Sequence, residues 1–583
     1  MTVGDSAAPP SLAPAPSPHW HLRDLPEETT VQALQQALRL PRALCAVLAV
    51  RGVEEDAAAR AFLRPHLEEL HDPSDLPDAD RATERILHAV RQGETILVHG
   101  DYDVDGVSAV TLLTRWIRRV GGHVVPFVPH RTRDGYDFGE AGLRAAAEAK
   151  ATLVVTVDCG ITATEPVARA NAAGVDVVIT DHHTPGPTLP EAVAVVNPAR
   201  ADSIYPNPGL CGTGVAFKLC QMLARAHGVP DDELFASLDL VALATVADLV
   251  PLVGENRVLV RYGLRALAAT ESVGLRALLE RTRLMGKRLD AGKIGYVLAP
   301  RINAVGRMGA ASTALELLLT EDPDQAARLA DVLEEENRTR QEEDRRTLAE
   351  ALDLLASDFD PDRDFGVVLG ADGWHPGVIG IVASRVVERV HRPTVMVAWS
   401  GEEGRGSARS ISGFHLYDAI DACSHHLTRF GGHKQAAGMD LPRSAFGAFR
   451  EAFNAEARTR LEGVKPRPSV RADLEVDLGD VTRDLAHYMQ YVGPFGMGNP
   501  RPVFVARNVE LTGPPGVVKD EHLKLKLRQG GARLEAIGFR LSQRVPPASL
   551  GLGPVDIVFQ VDEREFRGRM SLQAKLLDVR TSQ

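Results

Sequence analysis

The feature that most constrains this chain is an alternation of segment types between residues 94 and 198. Strand-like runs stand at ETILVHG (94–100), HVVPFVP (123–129), ATLVVTVD (151–158), VDVVITD (175–181) and AVAVVNP (192–198), with helical patterns at 107–120, 139–149 and 162–173 between the first four. Strand–helix–strand units of this length predict an α/β fold, a parallel sheet with helices on both faces. In such sheets ligands gather outside the carboxyl ends of the strands. The polar clusters fall there: Asp101, Asp103 and Asp105 after the first run, Asp158 after the third, and Asp181-His182-His183 after the fourth.

In VHGDYDVDG, His99, Asp101, Asp103 and Asp105 alternate before Gly106. Carboxylates crowded into one loop raise each other's pKa, and a divalent cation resolves the repulsion. Oxygen ligands with one or two imidazoles suit Mn²⁺ or Mg²⁺ better than a structural zinc. A calcium loop of the EF-hand type is excluded, because the glutamate it requires six residues past the glycine is here Leu112. Asp158 reads equally as a helix cap and as a ligand. Asp248, a lone acid in ALATVADLVPL, needs a partner if buried, and a metal supplies one. Neighbouring side chains of an extended segment point opposite ways. On that basis one of His182 and His183 ligates, the other faces substrate, and Asp181 orients a ring.

Net charge is −12, which argues against a nucleic-acid partner until its distribution is considered. Arg501–Gln583 carries 14 Lys and Arg against 9 Asp and Glu, and part of the remaining acidity sits in the metal-ligand-like clusters, whose field a bound ion inverts. The five cysteines form no CxxC and suggest a reducing, cytoplasmic setting. No apolar run is long enough for a membrane helix. The N-terminal MTVGDSAAPPSLAPAPSPHW lacks a cationic start and apolar core, so it reads as a disordered leader rather than a secretory signal.

Further along, DPDQAARLADVLEEENRTRQEEDRRTLAEALDLLAS (322–357) contains no glycine and predicts one long connecting helix. A second, smaller α/β unit follows, with strands at 364–372 and 392–399 and the glycine-rich GEEGRGSARSISGF and FGGHKQAAGMD. After a basic hinge at Lys465-Pro-Arg-Pro come five strand-like runs, from VFVARNVEL to SLQAKLLDV, which predict a small five-stranded barrel.

HGDYDVDG, VDCG, TDHH and TVADLVP occur in an order that resembles the DHH phosphoesterase superfamily. RINAVGRMG (301–309), GWHPGVIGIVASR (373–385), GRGSARS (404–410) and FGGHKQAAGM (430–439) narrow the resemblance to the RecJ family of single-stranded-DNA-specific 5′→3′ exonucleases, from about Trp20 onward. The segments then expected are a leader (1–19), a DHH domain (20–320), the connecting helix (321–360), a DHH-associated domain (361–463) and an OB-fold-like barrel (464–583). Some relatives carry a further C-terminal domain, and this chain is expected to end with the barrel.

The resemblance implies two Mn²⁺ or Mg²⁺ ions. Asp103 and Asp105 would each serve one ion and Asp158 both; His182 and Asp248 would complete the second site, and either Asp101 or His99 the first. His183 would touch the scissile phosphate, with Arg301, Asn303 and Arg307 as further catalytic candidates. Ser407, Arg409 and His433 would hold the DNA 5′-phosphate; His375 either lines the cleft or orders a turn. Lys524, Lys526, Arg528, Phe539, Arg564 and Phe566 are the residue types with which OB-folds grip single strands. The expected partner is single-stranded DNA with a 5′ end, joined on family grounds by single-strand-binding protein and a recombination helicase, with a monomer acting in repair, mismatch repair and recombination. Two alternatives are a phosphodiesterase for short oligonucleotides or cyclic dinucleotides, and a non-catalytic replication scaffold.

Overall fold

The computed structural model describes residues 16–582 except Thr132, Tyr136, Ala310, Lys465, Leu552, Arg567 and Gly568; the expected leader up to residue 15 and the Lys465 of the hinge lie outside them, as do the side chains of Arg564 and Phe566. The chain forms two compact units. One takes the described residues up to Asp56, Thr339–Met489 and those from Pro502 on; the other takes Ala57–Arg338 and Gln490–Arg501. No helix among the described residues is long and apolar enough to cross a membrane.

The second of these units is built on an all-parallel sheet of Thr95–Gly100, His123–Phe127, Leu153–Val157, Asp176–Thr180 and Ala194–Val196. Thr95–Gly100 lies between His123–Phe127 and Leu153–Val157, and the last two strands follow in chain order. Successive strand residues face opposite sides, so both faces must be covered. Ile96, Val98, Val155, Val178 and Val196 join one apolar cluster with Val107, Val110 and Leu113 of the helix Val104–Arg119. Leu97, Val154, Val177, Ile179 and Val195 join another with Ala146 and Val167 of the helices Glu140–Ala149 and Thr164–Ala172. Beyond the sheet come helices, among them Gly212–Ala226, Leu238–Ala247 and Ala299–Met308. Apart from Asp239 and Thr245, Leu238–Ala247 is apolar, and it is buried all round from Leu238 to Val246.

The long helix runs Pro323–Asp358. Proline fits its first position, where no intrahelical donor is needed, and Asp322 accepts from the Asp324 N–H at 2.9 Å.

The other unit holds three further sheets, the smallest a parallel pair of His19–Leu22 and Ser469–Ala472. In another, Val367–Asp372 and Thr394–Ser400 run parallel, as in an α/β unit, and Glu403–Arg409, Ala436–Pro442 and Arg429–Gly432 continue it antiparallel. The glycine-rich GRGSAR is therefore part of a strand. Its glycines make room for neighbouring side chains: a Cβ on Gly404 would lie 2.4 Å from the Trp399 ring, and one on Gly406 2.6 Å from Met439. The barrel sheet has seven strands where five are expected. The additional strands, Leu474–Glu475 and Gly516–Val518, have two and three residues, too short for a period-2 pattern to register.

Candidate metal centre

The loop after Thr95–Gly100 is folded by its own acids. Asp103 caps the helix Val104–Arg119, accepting from the N–H groups of Asp105 at 2.9 Å and Gly106 at 3.1 Å. Asp105, in the first turn, accepts from Gly212 and Thr213 N–H, each at 2.7 Å. The amino end of the helix Gly212–Ala226 is thus aimed at a carboxylate, the polarity a helix dipole favours. Asp158 has φ 62°, a conformation unusual outside glycine, and its N–H donates to Thr180 O at 3.0 Å. A Cβ on Gly212 would lie 2.5 Å from both Cβ and Oδ1 of Asp158, so only glycine lets that helix end approach. Asp248 caps the carboxyl end of the buried helix Leu238–Ala247.

These side chains converge in overlapping groups whose ligating atoms lie within 4.8 Å of one another: Asp101, Asp103 and Asp158; Asp105, His182 and Asp248; and Asp158, His182 and His183. His182 Nε2 is 3.1 Å from Asp158 Oδ1, 3.7 Å from Asp248 Oδ2 and 3.8 Å from Asp105 Oδ2. Asp101 Oδ1, Asp158 Oδ1 and His182 Nε2 are buried with no hydrogen-bond partner. Buried polar atoms are ordinarily satisfied, so orphaned lone pairs converging on one place fit divalent cations.

The two histidines do not point opposite ways. The strand stops at Thr180, so its alternation no longer applies, and the rings lie 4.4 Å apart. Asp181 holds this corner. Its Oδ1 accepts from His183 Nδ1 at 2.7 Å and from the N–H groups of His182 at 2.7 Å and His183 at 3.1 Å, while Oδ2 accepts from Ile161 N–H at 3.0 Å. The ring that Asp181 orients is therefore that of His183.

Burial, followed by the neighbouring carboxylates, pushes Asp101 and Asp158 well above the usual carboxylate range and raises Asp103. The same causes push Asp248 up to about 8. Burial lowers His182. Burial also pulls on His183, but the hydrogen bond and charge of Asp181 outweigh it and raise the ring to about 9. A site this acidic and this dry calls for positive charge.

Comparison with known proteins agrees. Family models described as DHH family, N-terminal domain, as DHHA1 domain and as RecJ OB domain match residues 95–245, 364–459 and 472–578. The single-stranded-DNA-specific exonuclease RecJ of Dickeya dadantii is 37% identical over 556 residues, 92% of this chain and 95% of that protein. The chain belongs to the RecJ family. The Bacillus subtilis RecJ is 34% identical over 97% of this chain and 71% of its own length. The crystal structure of Thermus thermophilus RecJ in complex with Mn²⁺ superposes with TM-score 0.83 at 31% identity, covering 97% of this chain and 80% of that one. A second structure of that protein contains Mg²⁺ and gives TM-score 0.76.

Other residues expected at a RecJ site fall in different places. His99 is outside the ligating groups. It lies inside its strand, facing the aromatic side of the sheet, with its ring 5.3 Å from those of Phe127 and Phe138 and Nδ1 3.6 Å from Cys159 Sγ; burial lowers its pKa to about 4. Arg301 is committed to structure: its guanidinium forks onto Glu334 of the long helix at 2.6 and 3.2 Å and donates to Val297 O at 2.6 Å. Asn303 Oδ1 accepts from Val104 N–H at 3.1 Å and supports the acidic loop from outside. Arg307, half-buried, follows Gly306, whose absent Cβ would lie 2.6 Å from Tyr102 O.

In the other unit, Arg409 donates to Ser407 Oγ at 3.2 Å and to Ala408 O at 2.8 Å. A Cβ on Gly380, at the amino end of the helix Ile379–Val390, would meet Ser407 Oγ at 2.8 Å and Arg409 Nη2 at 2.9 Å. His433 is exposed in the turn before Ala436, which pairs with Arg409. His375 orders a turn: its Nδ1 accepts from Gly377 N–H at 3.1 Å. On the barrel, Lys524 pairs with Glu535 at 3.3 Å, Arg528 pairs with Glu510, Lys526 is exposed, and the Phe539 ring lies 5.2 Å from that of His522.

Sequence reasoning missed Gly212, Thr213 and Asp137, the last of which accepts from Gly160 N–H at 2.7 Å and from Thr162 Oγ1 at 2.9 Å. The signal for the first two was a Cys-Gly-Thr-Gly run opening an apolar helix.

Proposed function

We propose that this chain is a metal-dependent exonuclease of single-stranded DNA that hydrolyses phosphodiester bonds 5′→3′ and releases 5′-mononucleotides in repair and recombination. The observation that carries this reading is the meeting of Asp101, Asp103 and Asp158 with Asp105, His182 and Asp248 at orphaned buried lone pairs. Asp101, Asp103 and Asp158 would hold one Mn²⁺ or Mg²⁺, and Asp105, His182, Asp248 and Asp158 the other. Such ions supply the positive charge that activates water and offsets charge building on the phosphoryl oxygens.

The chain's own groups do the rest. Asp105 and Asp103 are fixed by backbone donors, so the cluster is preorganised. Asp181 fixes His183 through Nδ1, so the ring meets a phosphate from its Nε2 edge. Arg307 adds a cation from the helix that carries Asn303. Ser407, Arg409 and the amino end of Ile379–Val390 make an anion site suited to a terminal phosphate, with His433 at the same end of the sheet. That pocket would set the 5′ polarity. Lys526 and Phe539 on the barrel would grip the strand.

Single-strand-binding protein and a recombination helicase are proposed as partners on the family resemblance, as are a monomeric state and a cytoplasmic location. The test is degradation of 5′-labelled single-stranded and duplex DNA with and without Mn²⁺. Release of labelled mononucleotide from the single strand alone supports the reading; turnover of dinucleotides only, or of nothing, sinks it.

A further inference from the structure

The residue after Asp248 is built to point outward. Leu249 has φ 59° and is 66% exposed, an unfavourable conformation and an unfavourable exposure for a leucine. Val253, four residues on, is 49% exposed. Against this turn docks a loop from far along the chain, GPFGMGNP. Leu252 N–H donates to Met497 O at 2.7 Å, and a Cβ on Gly498 would lie 3.1 Å from Pro251 and 3.3 Å from Val253.

The loop is held stiffly from behind. The buried Asn499 donates to Val492 O at 2.8 Å and Pro494 O at 2.9 Å, and Arg257 donates to the carbonyls of Tyr491, Val492 and Gly493. All of this scaffolding presents Met497 to solvent, 56% exposed. Exposed apolar side chains on a rigid frame beside a reactive site mark a contact surface.

We propose that Leu249, Val253 and Met497 form a ledge against which nucleobases of the strand lie while its backbone is at the carboxylate cluster. The proposal rests on the exonuclease reading and extends it to the bases. The three side chains offer apolar contact and a polarisable sulfur and carry no strong hydrogen-bonding group, so they accept every base. It needs base faces, which a duplex keeps stacked and a single strand can turn outward. The ledge therefore contributes to strand selectivity without reading sequence.

The test is competition between two 5′-phosphorylated single strands with Mn²⁺, one normal and one with abasic nucleotides at its first two positions. Wild-type protein should prefer the normal strand by about 10-fold, the order of one or two stacking contacts. The double variant Met497→Ser/Val253→Ser should cut that preference to about 2-fold, as should Leu249→Asn, which retains a residue tolerant of the left-handed backbone. Met497→Leu should restore it. Being a ratio within one preparation, the readout is insensitive to the folded fraction. Equal use of both strands by wild type, an unchanged preference in the serine variant, or its loss in Met497→Leu overturns the ledge. A wild-type chain that degrades neither strand instead overturns the exonuclease reading.

Discussion

His182 Nε2 and Asp158 Oδ1 stand 3.1 Å apart, both buried and neither hydrogen-bonded. Burial lowers the pKa of the histidine, so two lone pairs face a shared space suited to a cation. Asp158→Asn should lower nuclease activity by about 1,000-fold or more, because it removes the carboxylate that joins Asp101 and Asp103 on one side and the two histidines on the other. It should also raise the melting temperature of the chelated protein by a few degrees, since a buried like-charge repulsion is relieved. Calorimetry with and without Mn²⁺ separates these effects: the variant should lose most of the metal-induced shift. Retained activity with a normal shift would falsify the shared-ligand assignment.

Metal removal should expose a pH dependence of known sign. The folded-state carboxyl of Asp248 is raised to about 8, so the fold favours its protonated form. That stabilisation is fully present below the ordinary carboxylate range and is lost as pH rises through about 8. His183, raised to about 9, adds a loss of the same sign at the upper end. The chelated protein should therefore melt progressively lower between pH 5 and 9. Saturating Mn²⁺ should flatten the slope, and a flat profile after chelation would count against the buried carboxyl cluster.

Gly212→Ala tests the close approach of a helix to Asp158. The added methyl would sit 2.5 Å from the carboxylate, and either the side chain or the helix end must move. Because a displacement of about 1 Å at a reacting centre costs on the order of 100-fold, activity should fall by that order. Gly186→Ala is the control, since its Cβ meets nothing nearer than 3.8 Å. Equal activity of the two variants would show that the approach is slack.

Asp181 and His183 should separate stability from activity. Asp181 is buried and accepts from three backbone N–H groups and one ring, so Asp181→Ala should destabilise by roughly 2–4 kcal/mol as well as lower activity. His183 is 41% exposed but its ring pairs with Asp181, so His183→Ala should lower activity with a smaller loss of stability than Asp181→Ala. Comparable destabilisation by both would mean that His183 is structural.

Much of this was legible in the sequence because it is local. Continuous apolar runs alternating with helical segments located the parallel sheet, and the acids stood at strand ends, where the topology gathers ligands. What was not legible depends on contacts across the chain. The guanidinium of Arg301 forks onto Glu334, far along the chain, and the ring of His99 packs near Phe127 and Phe138, contacts that spacing along the chain does not announce. Gly404 and Gly406 stand out in the sequence only as glycines, and the cross-strand Trp399 and Met439 show what their missing side chains make room for. Extended-chain logic failed at His182-His183 because the strand stops two residues before it acts on both rings.

Arg409 carries the last prediction. Its guanidinium and the Ser407 hydroxyl sit at the amino end of Ile379–Val390, where Gly380 leaves the space for both. A terminal phosphate there would meet a charged fork, a hydroxyl and the positive end of a helix dipole, whereas a 5′-hydroxyl end would leave all three without an anion. Wild-type protein should therefore degrade a 5′-phosphorylated strand faster than a 5′-hydroxyl one. Arg409→Ala should remove most of that preference by slowing only the phosphorylated substrate, about 10-fold or more in kcat/KM. Arg409→Lys should recover part of it, because a lysine keeps the charge without the planar fork. Parallel losses on both substrates would place Arg409 in general strand binding and move the polarity determinant elsewhere.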